Sequence, residues 1–140
     1  MVVPAYNEGP AIRPCVERIL AATSSQVEVL VVYDRPDDTT ATPVAELAAR
    51  DPRVRGVLNQ VRRGPAGALK AGFHEARAEV VVVTMADGSD DVTQIDQRVR
   101  LVRKGCSWSP PPATIFQTGV PAGGGSPMWV SRKESHLVYA

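Results

Sequence analysis

The stretch Glu79-Val80-Val81-Val82-Val83-Thr84-Met85-Ala86-Asp87-Gly88-Ser89-Asp90-Asp91 decides how the chain is read. Four consecutive β-branched apolar residues, Val80 to Val83, fit a strand buried on both faces, as in a parallel sheet sandwiched between helices. After them the chain turns polar at Asp87, Gly88, Ser89, Asp90 and Asp91. Ligands of open α/β sheets bind just beyond the carboxyl ends of the strands, so these carboxylates stand where a site is expected. Carboxylates on such a turn can hold a hard divalent cation that neutralises a diphosphate. Taken alone, they are equally well read as caps of the following helix that stay solvated.

The same alternation extends outward from this strand. Met1 to Ala5 reads as a first strand, followed by a turn at Tyr6-Asn7-Glu8-Gly9-Pro10. A helix then places Ile12, Val16, Ile19 and Leu20 on one face. Val27 to Val32 is a second strand, ending at Tyr33-Asp34-Arg35-Pro36-Asp37-Asp38. Thr39 or Thr40 can cap the next helix, which turns Val44, Leu47 and Ala48 inward. Asp51-Pro52 stops that helix, and Val54 to Leu58 is a third strand. Asn59 to Gly67 is a loop of basic and small residues that opens a helix carrying Leu69, Phe73 and Ala76 at helical spacing. Beyond the valine strand, a helix from about Thr93 to Lys104 carries Ile95, Val99 and Val102 inward. Strands alternating with helices in this way predict an α/β, Rossmann-like half-domain. Its sheet is mostly parallel, with right-handed crossovers and helices on both faces.

A chain of 140 residues is long enough for one small domain with its own core. The net charge of +1 gives no reason to expect a nucleic-acid binder or a membrane-surface binder. Cys15 and Cys106 form no C-x-x-C pattern and read as reduced thiols of a cytosolic protein. No run is long enough to span a bilayer, and no signal-peptide pattern is seen. His74 and His136 have no partner pattern and read as surface residues.

The loops after the strands should gather along one edge of the sheet. They carry Asn7 and Glu8, then Asp34 and Asp38, then Asp87 and its neighbours. Between them the third loop brings Arg62, Arg63 and Lys70 close to a helix N-terminus. That mixture suits a nucleotide diphosphate, with carboxylates for ribose hydroxyls and a metal, and cations and backbone N–H groups for phosphate. Singly, each residue is better read as a turn, a cap or a solvated pair. The absence of G-x-G-x-x-G after the first strand, and of G-x-x-x-x-G-K-[ST] anywhere, speaks against dehydrogenase and NTPase readings.

Val2-Val3-Pro4-Ala5-Tyr6-Asn7-Glu8 resembles the opening V-[IV]-P-x-[YF]-N-E of family 2 glycosyltransferases, which have the GT-A fold. Leu30 to Thr40 is similar to that family's V-V-D-D-G-S-x-D-G-T, with Tyr33 in place of the first Asp. Asn59, Arg63-Gly64-Pro65-Ala66-Gly67-Ala68 and Ala71-Gly72-Phe73 resemble its N-x-G-x-x-x-A-x-x-x-G-F block. Thr84 to Asp90 occupies the D-x-D place, with Met85 instead of the first Asp and Ser89 where the lipid-phosphate subgroup often has Gln. Within that family the chain most resembles the dolichol- or polyprenyl-phosphate mannosyltransferase and glucosyltransferase type.

The resemblance implies inverting transfer of a hexose from a nucleotide-diphosphate sugar to a polyprenyl-phosphate-type acceptor, assisted by a divalent metal, Mg or Mn. It implies that Pro4, Ala5, Tyr6 and Glu8 shape the nucleobase pocket and that Asp34 contacts the base or its ribose. Asp87 is the implied catalytic and metal-binding carboxylate, helped by Ser89 or Asp90, because the thioether of Met85 serves a hard cation badly. Arg63 and Lys70 lie near the donor site with no role fixed by a motif. The implied location is cytoplasmic, at the cytoplasmic face of the membrane if the parent protein associates with it.

Residues 1–106 are thus expected to form the donor-binding domain and 107–127 an irregular Pro/Gly-rich segment. A shifted coding frame is the alternative reading of that segment, and sequencing the locus decides between the two. Residues 128–140 are expected to form a truncated helical tail like the family's stretch leading toward the membrane. Because the acceptor end lies beyond this point, the chain reads as a fragment. The rival readings are a non-catalytic fragment and a nucleotide-sugar-binding module without transfer activity.

Overall fold

In the computed structural model, Val80–Val83 form a strand, β4, whose residues are buried or nearly so. The structure describes residues 1–24, 26–104 and 129–132. Along them run β1 (Val2–Pro4), α1 (Ile12–Ala22), β2 (Val29–Tyr33), α2 (Ala41–Arg50) and β3 (Val54–Leu58). Then come α3 (Pro65–Glu75), β4, α4 (Ile95–Arg103) and β5 (Trp129–Arg132). The sheet order is β3-β2-β1-β4-β5, with β1 to β4 parallel and β5 antiparallel to β4. The α/β expectation therefore holds, and the order reverses between β1 and β4, the kind of switch point where ligands bind.

The runs of valine follow from burial on both faces. Successive strand residues point to opposite sides. Val3, Val29, Val31 and Val82 pack with Ile12, Val16 and Ile19 of α1, Val44 and Leu47 of α2, and Ile95 and Val102 of α4. Val2, Leu30, Val32, Val81 and Val83 pack on the other side with Ala68 and Ala71 of α3. β2 is paired along its length with β3. By contrast, β1 and β4 share the single register pair Val2↔Val83, extended by the Thr84 amide donating to the Val2 carbonyl at 3.2 Å.

Two expectations need correction, and α3 packs on smaller residues than those that carry its helical spacing. The buried face of α3 is Gly67, Ala68, Ala71 and Gly72, while Leu69 and Phe73 are only partly covered. The reason is close approach: a Cβ on Gly72 would stand 2.4 Å from a methyl carbon of Val2. Thr40 is the N-cap of α2, but its hydroxyl makes no cap bond and instead accepts the Glu8 amide at 3.1 Å. Residues 129–132, expected within a helical tail, form strand β5, which pairs with β4 from Val80↔Arg132 to Val83↔Trp129. Aromatic and β-branched residue types suit extended backbone, and the open edge of β4 supplies a partner. The 107–127 segment and the tail beyond residue 132 lie outside the described residues, as do Cys106 and His136.

Candidate functional site

A cleft of about 690 Å³ opens at the carboxyl ends of β1 and β4, with the N-terminal turn of α3 as a third wall. One side is Pro4, Ala5, Tyr6 and Glu8 after β1, joined by Asp34 after β2. The opposite side is Val83, Thr84, Met85 and Asp90. Gly64, Pro65, Ala68 and Leu69 complete it from the loop and first turns of α3.

Hydrogen bonds between loops fix the first side. Asp38 is buried and accepts from the Asn7 amide at 3.1 Å and the Thr40 amide at 2.8 Å. With the Thr40 hydroxyl on the Glu8 amide, this ties the loop after β1 to the loop after β2. Asn7 itself has a positive φ of 55°, which Asn tolerates better than most residues. Asp38 thus does the turn work that its position allowed. Asp34 serves a similar purpose one loop further on. Its Oδ1 accepts from the Asn59 side-chain amide at 2.7 Å and its Oδ2 from the Gly64 amide at 2.6 Å. Gly64 has a φ of 98°, a conformation open mainly to glycine, and it presents that N–H immediately before Pro65 starts α3. Tyr6 is left largely exposed at the mouth, 63% accessible.

The β4 side is set by a carboxylate of different standing. Asp90 is only 4% exposed. Its Oδ2 accepts from the Thr84 hydroxyl at 2.7 Å and the Met85 amide at 2.8 Å. Asp87, by contrast, is exposed, and its Oδ1 accepts from the Ser89 amide at 2.9 Å. The backbone and side chain of Ser89 hold the Asp87 carboxyl below its ordinary pKa, with a smaller contribution from Arg18. Arg18 of α1 donates to the carbonyl of Gly88, fastening this turn from behind. Cys15 lies nearby, buried, with its thiol donating to the Met85 carbonyl at 3.6 Å. Burial raises its pKa, which agrees with an unreactive thiol.

The structure therefore brings Pro4, Ala5, Tyr6, Glu8 and Asp34 together around one cleft. Arg63, Lys70, Asp87 and Ser89 are exposed residues outside its lining. Asp91 caps the turn before α4, accepting from the Thr93 amide, as the plainer reading of the acidic run required. Thr84 and Asp90 were legible only as members of a polar run, since burial of one carboxylate among several leaves no pattern in sequence.

Among the described residues no group of three or more His, Cys, Asp or Glu side chains could hold a metal ion. A magnesium-like ion keeps several waters and takes one or two carboxylates alongside substrate phosphates, and Asp87 is an exposed carboxylate at the end of β4. Among the described residues no helix is long and apolar enough to cross a membrane.

Residues 1–108 match the profile described as Glycosyl transferase family 2. The succinoglycan biosynthesis protein ExoO of Rhizobium meliloti (strain 1021) is 39% identical over 103 residues, 74% of this chain and 28% of that protein. The dolichyl-phosphate beta-glucosyltransferase ALG5C of Trichomonas vaginalis is 34% identical over 112 residues, 74% of this chain and 32% of that one. Among solved structures, the mannosyltransferase PcManGT from Pyrobaculum calidifontis, in complex with GDP-Man and Mn2+, superposes with a TM-score of 0.53 at 33% identity. That match covers 61% of this chain and 26% of that one. The chain thus spans about a third or less of the length of these relatives.

Proposed function

The chain belongs to glycosyl transferase family 2, and we propose that it carries the donor half of a hexose transfer. In this reading a hexose moves from a nucleotide-diphosphate sugar to a polyprenyl-phosphate-type acceptor, with inversion at the anomeric carbon. The observation that carries it is the cleft at the sheet's switch point, walled by Tyr6, Glu8 and Asp34 on one side and by the β4 end on the other. The names of relatives support the two substrates: one acts on dolichyl phosphate, and the mannosyltransferase was solved with GDP-Man.

Pro4, Ala5, Tyr6 and Glu8 receive the nucleobase, and Asp34 the base or its ribose. Asp34 can do so without losing its loop contacts, because each carboxylate oxygen has a second lone pair. Arg63 and Lys70 add positive charge near the phosphates. Asp87 and Ser89 would hold the divalent ion, Mg or Mn, together with the donor diphosphate. When bound, that ion supplies charge neutralisation for the departing diphosphate. An oxygen of the acceptor phosphate bonds to the anomeric carbon while the bond to the diphosphate oxygen breaks, and the electron pair leaves with the nucleoside diphosphate. A phosphate acceptor is already anionic, so no side chain need take a proton. In this reading the reaction runs in the cytoplasm, at the cytoplasmic face of a membrane that holds the lipid.

Thermal unfolding of the chain with UDP, GDP and their sugar conjugates, each with and without Mn²⁺ or Mg²⁺, tests this. A ligand that binds only the folded state raises Tm by mass action. The expected result is a metal-dependent rise with one base. A cooperative transition that none of them moves would overturn the reading. Because the chain spans a third or less of its relatives, a second reading is donor binding without transfer. A single-turnover assay with a polyprenyl phosphate separates the two: binding without any glycosylated lipid supports the second.

A further inference from the structure

Of the carboxylates that line the cleft, Asp90 is the one with an unmet bond. Asp34 has a donor on each oxygen, and Glu8 is partly open to solvent. Asp90 is buried, and only its Oδ2 is engaged, by the Thr84 hydroxyl and the Met85 amide. Its Oδ1 is buried with no hydrogen-bond partner among the described residues. An unpaired carboxylate oxygen out of water is costly, so a native structure retains one where something else completes it.

We propose that Oδ1 of Asp90 accepts a hydroxyl group of the donor's hexose, which makes Asp90 a determinant of sugar recognition. This rests on the cleft being the nucleotide-sugar site. The parts of such a donor differ in what they can offer a carboxylate. A diphosphate has no hydrogen to give and repels an anion. In that reading the nucleobase and its ribose go to the wall of Tyr6, Glu8 and Asp34, which follow β1 and β2, whereas Asp90 follows β4. The hexose remains, and its hydroxyls are the donors that a lone acceptor needs.

Asp90→Asn tests this selectively. The amide oxygen can keep the bonds from Thr84 and Met85, while the NH₂ group replaces the free acceptor by a donor. Binding is measured by titration calorimetry on the 140-residue chain with a nucleoside diphosphate and with its hexose conjugate. The variant is expected to bind the nucleoside diphosphate as the parent does and to bind the conjugate about ten- to a hundredfold more weakly, the usual effect of losing a bond to a charged group. Equal weakening of both ligands, or no weakening of either, would overturn the proposal. A second measurement does not depend on the variant folding. Conjugates of singly deoxygenated hexoses are titrated into the unmodified chain, and one of them should show the same loss. If every deoxy conjugate binds as tightly as its parent, the proposal is wrong. If the unmodified chain binds no nucleoside diphosphate, the donor-site reading falls first and takes the proposal with it.

Discussion

Asp34 carries two loads, since its oxygens hold Asn59 and Gly64 while its side chain faces the cleft. Asp34→Ala is therefore expected to cost about 1–3 kcal/mol of stability, read by urea unfolding, and to weaken donor binding as well. Asp87 has no such double duty. It is exposed and braced by Ser89, so Asp87→Asn should change stability by less than about 0.5 kcal/mol. The same variant should remove the metal-dependent part of the donor-induced rise in Tm, a separation that thermal scans with and without Mn²⁺ reveal. At this scale the sequence separated residue types well and residue circumstances badly. Asp34, Asp38, Asp87 and Asp90 are the same side chain after comparable strands. What distinguishes them is which amides the fold brings within reach, and the Asn7 and Gly64 amides lie 31 and 30 residues away from the carboxylates they meet.

α3 shows how packing at the level of an element overrides pattern. Its helical spacing is carried by Leu69, Phe73 and Ala76, yet the helix approaches the sheet on Ala68, Ala71 and Gly72, while Gly67 lies against the Arg62 carbonyl of the loop before it. Small residues let backbones come close, and the methyl groups of Val2 fill the space that a Cβ on Gly72 would occupy. Gly72→Ala should therefore destabilise the fold by about 1–3 kcal/mol through overpacking, despite the gain in helix propensity. Combining it with Val2→Ala should recover part of that loss, a non-additivity that chemical denaturation of the single and double variants measures. β4, in contrast, was fully legible, because a strand covered on both faces needs apolar residues at every position and the valine run supplies them. β5 was hidden for the opposite reason. Whether Trp129 to Arg132 extend depends on an open edge on β4, which lies some fifty residues earlier and leaves no mark on the segment itself.

Across the whole molecule, the walls of the cleft belong to different parts of the sheet. Tyr6, Glu8 and Asp34 follow β1 and β2, which are joined by several register pairs, whereas Thr84, Met85 and Asp90 follow β4. Only Val2↔Val83 links β1 to β4 in register, so side-chain packing among Val3, Val31 and Val82 does much of the joining there. Backbone amides at such a join open at lower free energy than those inside a long ladder. Hydrogen exchange is thus expected to be faster at Thr84 than at Val31, and to slow at Thr84 once a nucleotide sugar is bound. Mechanically, the sheet is two stiff plates glued more than stitched together, and the substrate lies across the glue line. A donor that grips both plates acts as a clamp, so part of its binding free energy is spent on quieting the protein beneath it. Tight binding and a quiet join would then be two readings of one event.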